Sequence, residues 1–222
     1  MTVIGVVGLT REARIVQGPG VVISRRGLYL TDLIAKGASG IISIGIAAAL
    51  DPVLKVGDCV IASSVSTAAG ETFPCARAWS DALANKIKAH AGMIAASDQV
   101  IASAQDKARL HEQTGAIAAD MESHIAARAA RAANIQFAAL RIISDRAQDA
   151  LPPAAVAAMR ADGSIDIGTV IGSLIAKPTQ VGALMKAARD AEIAFRELLR
   201  CRRLLGPGLA CPYLGELLGD MR

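Results

Sequence analysis

Aromatic side chains are scarce: one Trp, two Tyr and three Phe make up 3% of the 222 residues. The net charge is only +4, and no basic run is longer than "CRR" at 201–203. Proteins that follow a nucleic-acid strand stack bases on aromatics inside a strongly basic groove, so this composition argues against a polynucleotide partner. The four cysteines (59, 75, 201 and 211) show no C-x-x-C spacing. They read as free thiols in a reducing cytoplasm. The three histidines, at 90, 111 and 124, are scattered without metal-ligand spacing, so no metal is expected. No stretch reaches ~18 uninterrupted apolar residues, the length of a membrane span. The opening "MTVIGVVGL" has no charged leading region and is short for a signal core, so it reads as a first strand.

What the chain does have is apolar bulk. At 53% hydrophobic, with alanine dominant, it can bury a large core, and its length suits one α/β domain with at most a small appendage. Short apolar runs read as strands at 3–9, 21–24, 40–46, 58–65, 92–97, 116–120 and 137–144. Helical patterns fill 27–37, 76–90, 98–114, 122–134, 165–176 and 178–205. The strand runs are continuous rather than alternating, as in strands covered on both faces. The expected architecture is therefore a three-layer α/β/α domain with a mixed, mostly parallel sheet flanked by helices. It should span residues 1–206, followed by an apolar tail at 207–222.

Two strings stand at expected strand ends: "AADMESH" (118–124) and "RIISDRA" (141–147). Ligands of such folds collect at the carboxyl ends of strands, which puts Asp120, Glu122 and Asp145 on the functional edge. If Asp120 and Glu122 were both helical, they would diverge by about 200°, so they need not act as a pair. The plainer role for such acids is helix capping and complementing the helix dipole. "GPG" at 18–20 reads as a tight turn and "SRRG" at 24–27 as a solvated strand-to-helix turn. His124 reads as a satisfied helix histidine and Lys107 as a surface helix residue.

Taken in order, "GIAAALDPVLKVGDCVIAS" (45–63) and "AADMESHIAARAARAANIQFAALRIISDRA" (118–147) resemble the nucleoside phosphorylase and nucleosidase superfamily. "DMESH", "KARLHEQTGA" (107–116), "LPPAAV" (151–156) and "KPTQV" (177–181) are similar to its hopanoid-associated phosphorylase branch. The resemblance implies cleavage of the N-glycosidic bond of a purine nucleoside with release of adenine, and within that branch phosphorolysis of adenosylhopane. A hydrolytic adenine nucleosidase is the alternative, and a non-catalytic nucleoside binder the remote one. It implies no cofactor beyond inorganic phosphate as co-substrate. It further implies a cytoplasmic homo-oligomer whose lipid-bearing substrate could bring it to the inner membrane surface.

Carried over residue by residue, the resemblance makes Asp145 the general acid at purine N7, with Ser144 positioning it. Adenine leaves poorly as an anion, so a proton donor there is worth ~10²–10⁴-fold. Glu122 would bind the ribose hydroxyls and Met121 would pack on the ribose face. Val100 would line the base pocket, and Ala47 the turn where the family usually has glycine. Gly8, Arg11, Arg25 and Arg26 are the phosphate candidates. Glu12, one residue out of the family's register, corresponds to the acid that orients the nucleophile. At the other end, Arg189, Glu192, Arg196 and Arg203 track one helical face, and Ala191, Phe195, Leu198, Leu199 and Leu205 the other. That pattern suits a helix docked on the sheet, or a basic amphipathic helix touching an anionic membrane.

Overall fold

In the computed structural model, which describes residues 2–157 and 178–212, eight strands form one mixed sheet. They are β1 (Thr2–Val7), β2 (Val21–Arg25), β3 (Ala38–Ala49), β4 (Cys59–Thr67), β5 (Thr72–Pro74), β6 (His90–Ala96), β7 (Ala118–Asp120) and β8 (Gln136–Asp145). The helices are α1 (Thr10–Val16), α2 (Leu30–Ala35), α3 (Arg77–Ala84), α4 (Ala104–Thr114), α5 (Ser123–Ala133), α6 (Pro153–Ala157) and α7 (Val181–Leu205). The helix expected at 165–176 lies outside the described residues.

The sheet runs β2-β1-β3-β7-β6-β4-β5, and β8 bridges β3 and β4. Strands β3, β8, β4, β6 and β7 therefore close on themselves, because β3 and β7 meet antiparallel at Ala48–Ala119 and Ala49–Ala118. Strands β1 and β2 extend the sheet from β3 in parallel. Closure makes the inner strands apolar on both faces. In β8, residues 137–143 are all buried, and the only charge among them is Arg141. Alternate residues feed two cores. Val3, Ile42, Ile44 and Leu140 pack under α3 and α7, while Ile4, Ile41, Ala139 and Ile143 pack under α5.

Several boundaries differ from the sequence reading. Helix α1 and strand β5 were not expected; seven and three residues carry too little periodicity to register. Helix α4 begins at 104 rather than 98, because Ser103 caps it: its Oγ accepts from Asp106 N at 3.0 Å and donates to Asp106 Oδ2 at 2.6 Å. Residues 98–103 are thereby freed as a loop. Helix α7 docks on the sheet through Ala194, Phe195, Leu198, Cys201 and Leu205, while Leu199 is exposed. No described helix is long and apolar enough to cross a membrane. Residues 207–211 belong to the body rather than to a tail. Leu209 is wholly buried, and its carbonyl accepts a 2.9 Å hydrogen bond from Trp79 Nε1.

Candidate active site

Residues at or just beyond the ends of β1, β3, β6, β7 and β8 enclose a cleft of about 130 Å³. Gly8 and Glu12 contribute from the β1–α1 corner, Ile46 to Ala48 from β3, and Gln99 to Ile101 from the loop after β6. Asp120 to Glu122 come from the end of β7, and Ser144 and Asp145 from the end of β8. Nine of the 11 sequence-predicted site residues line this cleft, and eight of the nine are Gly8, Glu12, Arg26, Ala47, Val100, Met121, Glu122 and Asp145. Ser144 joins them.

Glu12 is held with unusual completeness. Its Oε2 accepts from Gly8 N at 2.8 Å and Leu9 N at 2.7 Å, and its Oε1 accepts from Ile46 N at 2.7 Å. Burial raises its pKa; the nearby Arg141 and the three N–H donors oppose the rise without cancelling it. Position 45 must be glycine for this arrangement, since a Cβ there would run into Glu12 and Arg141.

Arg141 is the feature that the sequence reading overlooked. It projects from β8, is wholly buried, and pairs with Asp120. It also donates to Ser43 Oγ at 2.5 Å and Ser123 Oγ at 3.2 Å. Its Nε and Nη1 have no hydrogen-bond partner among the described residues. A lone arginine inside "FAALRIIS" was the available signal, because a charge in a doubly covered strand needs buried partners. Asp120 is thus tied up by Arg141 and by Ser123, whose N–H it accepts at 3.2 Å. That contact at the start of α5 agrees with the plain capping role.

Glu122 lies 4.0 Å from both Arg141 and Arg26. Its pKa is pushed up to about 7, chiefly by burial, with Asp120 and Glu12 adding to the rise and Arg141 and Arg26 opposing it. Gly8 presses close beneath it: a Cβ there would lie 2.5 Å from a Glu122 carboxylate oxygen. Glu122 and Glu12 therefore share one corner of the cleft with Met121 beside them.

Asp145 closes β8. Its Oδ1 lies 2.7 Å from Ser144 Oγ, which is itself 3.1 Å from the Ala47 carbonyl. Its Oδ2 accepts from Lys107 Nζ. Lys107 is consequently not a surface residue. It is wholly buried in the first turn of α4, and also donates to the carbonyls of Arg146 at 2.9 Å and Asp149 at 2.8 Å. A helical lysine with no local partner reads as solvent-exposed, but α4 turns this one toward the end of β8, where its three acceptors lie. His124 is buried away from the cleft, with Nε2 3.0 Å from Asp98 Oδ1.

The phosphate candidates divide. Arg26 and Gly8 reach the cleft. Arg11 does not: it pairs with Glu192 at 2.6 Å and stacks over Phe195, both on α7, and is not among the cleft-lining residues. Arg25 donates to Thr10 Oγ1 at 3.0 Å and is not among the cleft-lining residues. The Gly8 N–H is already given to Glu12.

A closed mixed sheet with a carboxylate-lined cleft at its strand ends defines the class: an α/β enzyme fold of the nucleoside phosphorylase type. The family model of the Phosphorylase superfamily matches residues 3–175, and the chain belongs to that superfamily. No curated protein matches the sequence. Among solved structures, it is similar to 5′-methylthioadenosine/S-adenosylhomocysteine nucleosidase from S. pneumoniae bound to a transition-state inhibitor. There the TM-score is 0.64 at 16% identity, with 92% of this chain and 100% of that one covered. A Helicobacter pylori MTAN mutant with 5′-methylthioadenosine in the active site gives 0.62 at 14%, covering 90% and 97%. Futalosine hydrolase of Helicobacter pylori gives 0.62 at 16%, also covering 90% and 97%. Identities this low bear on the fold alone.

Proposed function

We propose that this cleft cleaves the N-glycosidic bond of an adenine nucleoside with water as the nucleophile. The observation that carries the reading is Glu12, a buried carboxyl fixed by three backbone N–H groups at the cleft wall. Burial raises its pKa, which strengthens the carboxylate as an acceptor of a proton from water. Glu122 holds the ribose hydroxyls, Met121 packs on the sugar, and Asp145 protonates the purine as it leaves. The Gln99–Ile101 loop faces the base.

Phosphate, the nucleophile favoured by the motif resemblance, fits this corner poorly. A dianion there would meet Glu12 and Glu122 with Arg26 as the one candidate arginine lining the cleft, and would find the Gly8 N–H already used. Like charges at such distances in a buried site disfavour binding. The motifs shared with the hopanoid-associated branch support adenosylhopane as the substrate within this class.

Product analysis tests both parts. The purified protein in phosphate-free buffer should release adenine and a free ribosyl product from adenosylhopane and from 5′-methylthioadenosine, at a rate that added phosphate does not raise. A phosphorylated sugar whose yield saturates with phosphate would instead make the enzyme a phosphorylase. Release from methylthioadenosine alone would remove the lipid substrate.

A further inference from the structure

The Asp145–Lys107 pair has a division of labour that the proposed reaction leaves unused. Three N–H donors of a lysine ammonium meet three acceptors: Asp145 Oδ2 and the carbonyls of Arg146 and Asp149. The two carbonyls accept whatever the state of the carboxyl, so the ammonium stays in place throughout a catalytic cycle. On the other side, Ser144 has one hydroxyl proton and two neighbours, Ala47 O at 3.1 Å and Asp145 Oδ1 at 2.7 Å. When that proton goes to Ala47 O, the short contact with Oδ1 needs a proton on the carboxyl. Oδ2 is therefore committed to Lys107, which leaves Oδ1 as the oxygen able to carry the proton, held on Ser144 Oγ until a base in the cleft takes it.

We infer that Lys107 is a positioning and charge-compensating residue that stabilises the Asp145 carboxylate left when its proton goes to the leaving base. The inference rests on the reading of Asp145 given above. As the C1′–N9 bond breaks, its electron pair departs with the base. The Asp145 Oδ1–H bond breaks and an N7–H bond forms, so the base leaves neutral. The nucleophilic water gives its hydroxyl to C1′ and a proton to Glu12, and exchange with solvent then removes that proton from Glu12 and returns one to Asp145. The negative charge that appears on Asp145 develops 38 residues away in sequence but in direct contact with the buried ammonium. A fixed charge aimed at developing charge accelerates the step without reorganising.

The role predicts a dependence on leaving group that a packing role would not produce. Nitrophenolate leaves without a proton, whereas adenine needs one. Lys107→Met should lower kcat on 5′-methylthioadenosine by about 10²-fold or more, within the range of general acid catalysis, with KM little changed. Its turnover of 4-nitrophenyl β-D-ribofuranoside should fall far less. Lys107→Ala should regain nucleoside turnover when ethylammonium is added, and far-UV circular dichroism checks that each variant is folded. Equal losses on both substrates by folded variants, or no recovery of Lys107→Ala with the amine, would overturn the inference. A wild-type protein that releases no adenine from either methylthioadenosine or adenosylhopane would overturn the proposed function itself, and this inference with it.

Discussion

At the scale of single residues, the cleft is a problem in burying acids. Glu12, Asp120, Glu122 and Asp145 crowd around it, and each is settled by a different device: backbone N–H groups, a buried arginine, partial protonation and a buried lysine. Glu122 is the least compensated, and its pKa of about 7 gives a sign to the pH dependence. A carboxyl raised above its ordinary 4.5 favours the fold while protonated. That contribution is complete below about pH 4.5 and is lost as pH rises through about 7. Glu122→Gln should therefore raise thermal stability at pH 8 and change it little at pH 4. The gain should be on the order of 1–3 kcal/mol, since one pKa unit is about 1.4 kcal/mol. Activity should move oppositely. The charged acceptor forms above pH 7, so wild-type KM should fall across that range, and the glutamine variant should show a higher, pH-flat KM. A melting temperature insensitive to the substitution at both pH values would mean that Glu122 is not strained by burial.

At the scale of elements, the position of Lys107 depends on where α4 begins. The Ser103 cap stops the helix from running back through 98–102 and leaves Gln99, Val100 and Ile101 to form the cleft wall. It also fixes the first turn, in which Lys107 N donates to the Ser103 carbonyl at 3.1 Å. Ser103→Ala should cost about 1 kcal/mol of stability, the usual worth of such a cap. It should also lower kcat several-fold by loosening the turn that carries Lys107. Denaturant unfolding and steady-state kinetics on the same variant read both effects; an unchanged kcat beside a lowered stability would separate the cap from the site.

At the scale of the whole molecule, the chain's last described residues complete the core beneath α3 and α7. Leu209 and Cys211 pack with Trp79, Leu198 and Leu205, and Gly208 N donates to Pro19 O at 3.2 Å. Truncation after Gly206 should therefore destabilise the whole protein by several kcal/mol, in the range of a large core deletion. It should also red-shift the fluorescence of Trp79, the single tryptophan. Turnover of soluble and lipid nucleosides should fall together. A selective loss on the lipid nucleoside, with Trp79 emission unchanged, would instead give the segment a lipid-contact role.

The sequence by itself determined the α/β class and most strand positions, because continuous apolar runs such as those at 40–46 and 137–144 suit only doubly covered strands. It also determined that acids would gather at strand ends, since topology alone carries "DMES" and "ISD" to one edge. Tertiary structure decided what local pattern cannot hold. Closure of β3 onto β7 joins strands far apart in sequence through two short pairings. The direction in which Arg11, Lys107 and Arg141 turn depends on partners at 192, 145 and 120. A charged side chain's sequence neighbourhood gives its secondary structure but not its partner. Burial of a charge is decided by the partner, through desolvation that only a matching charge or a set of dipoles can offset.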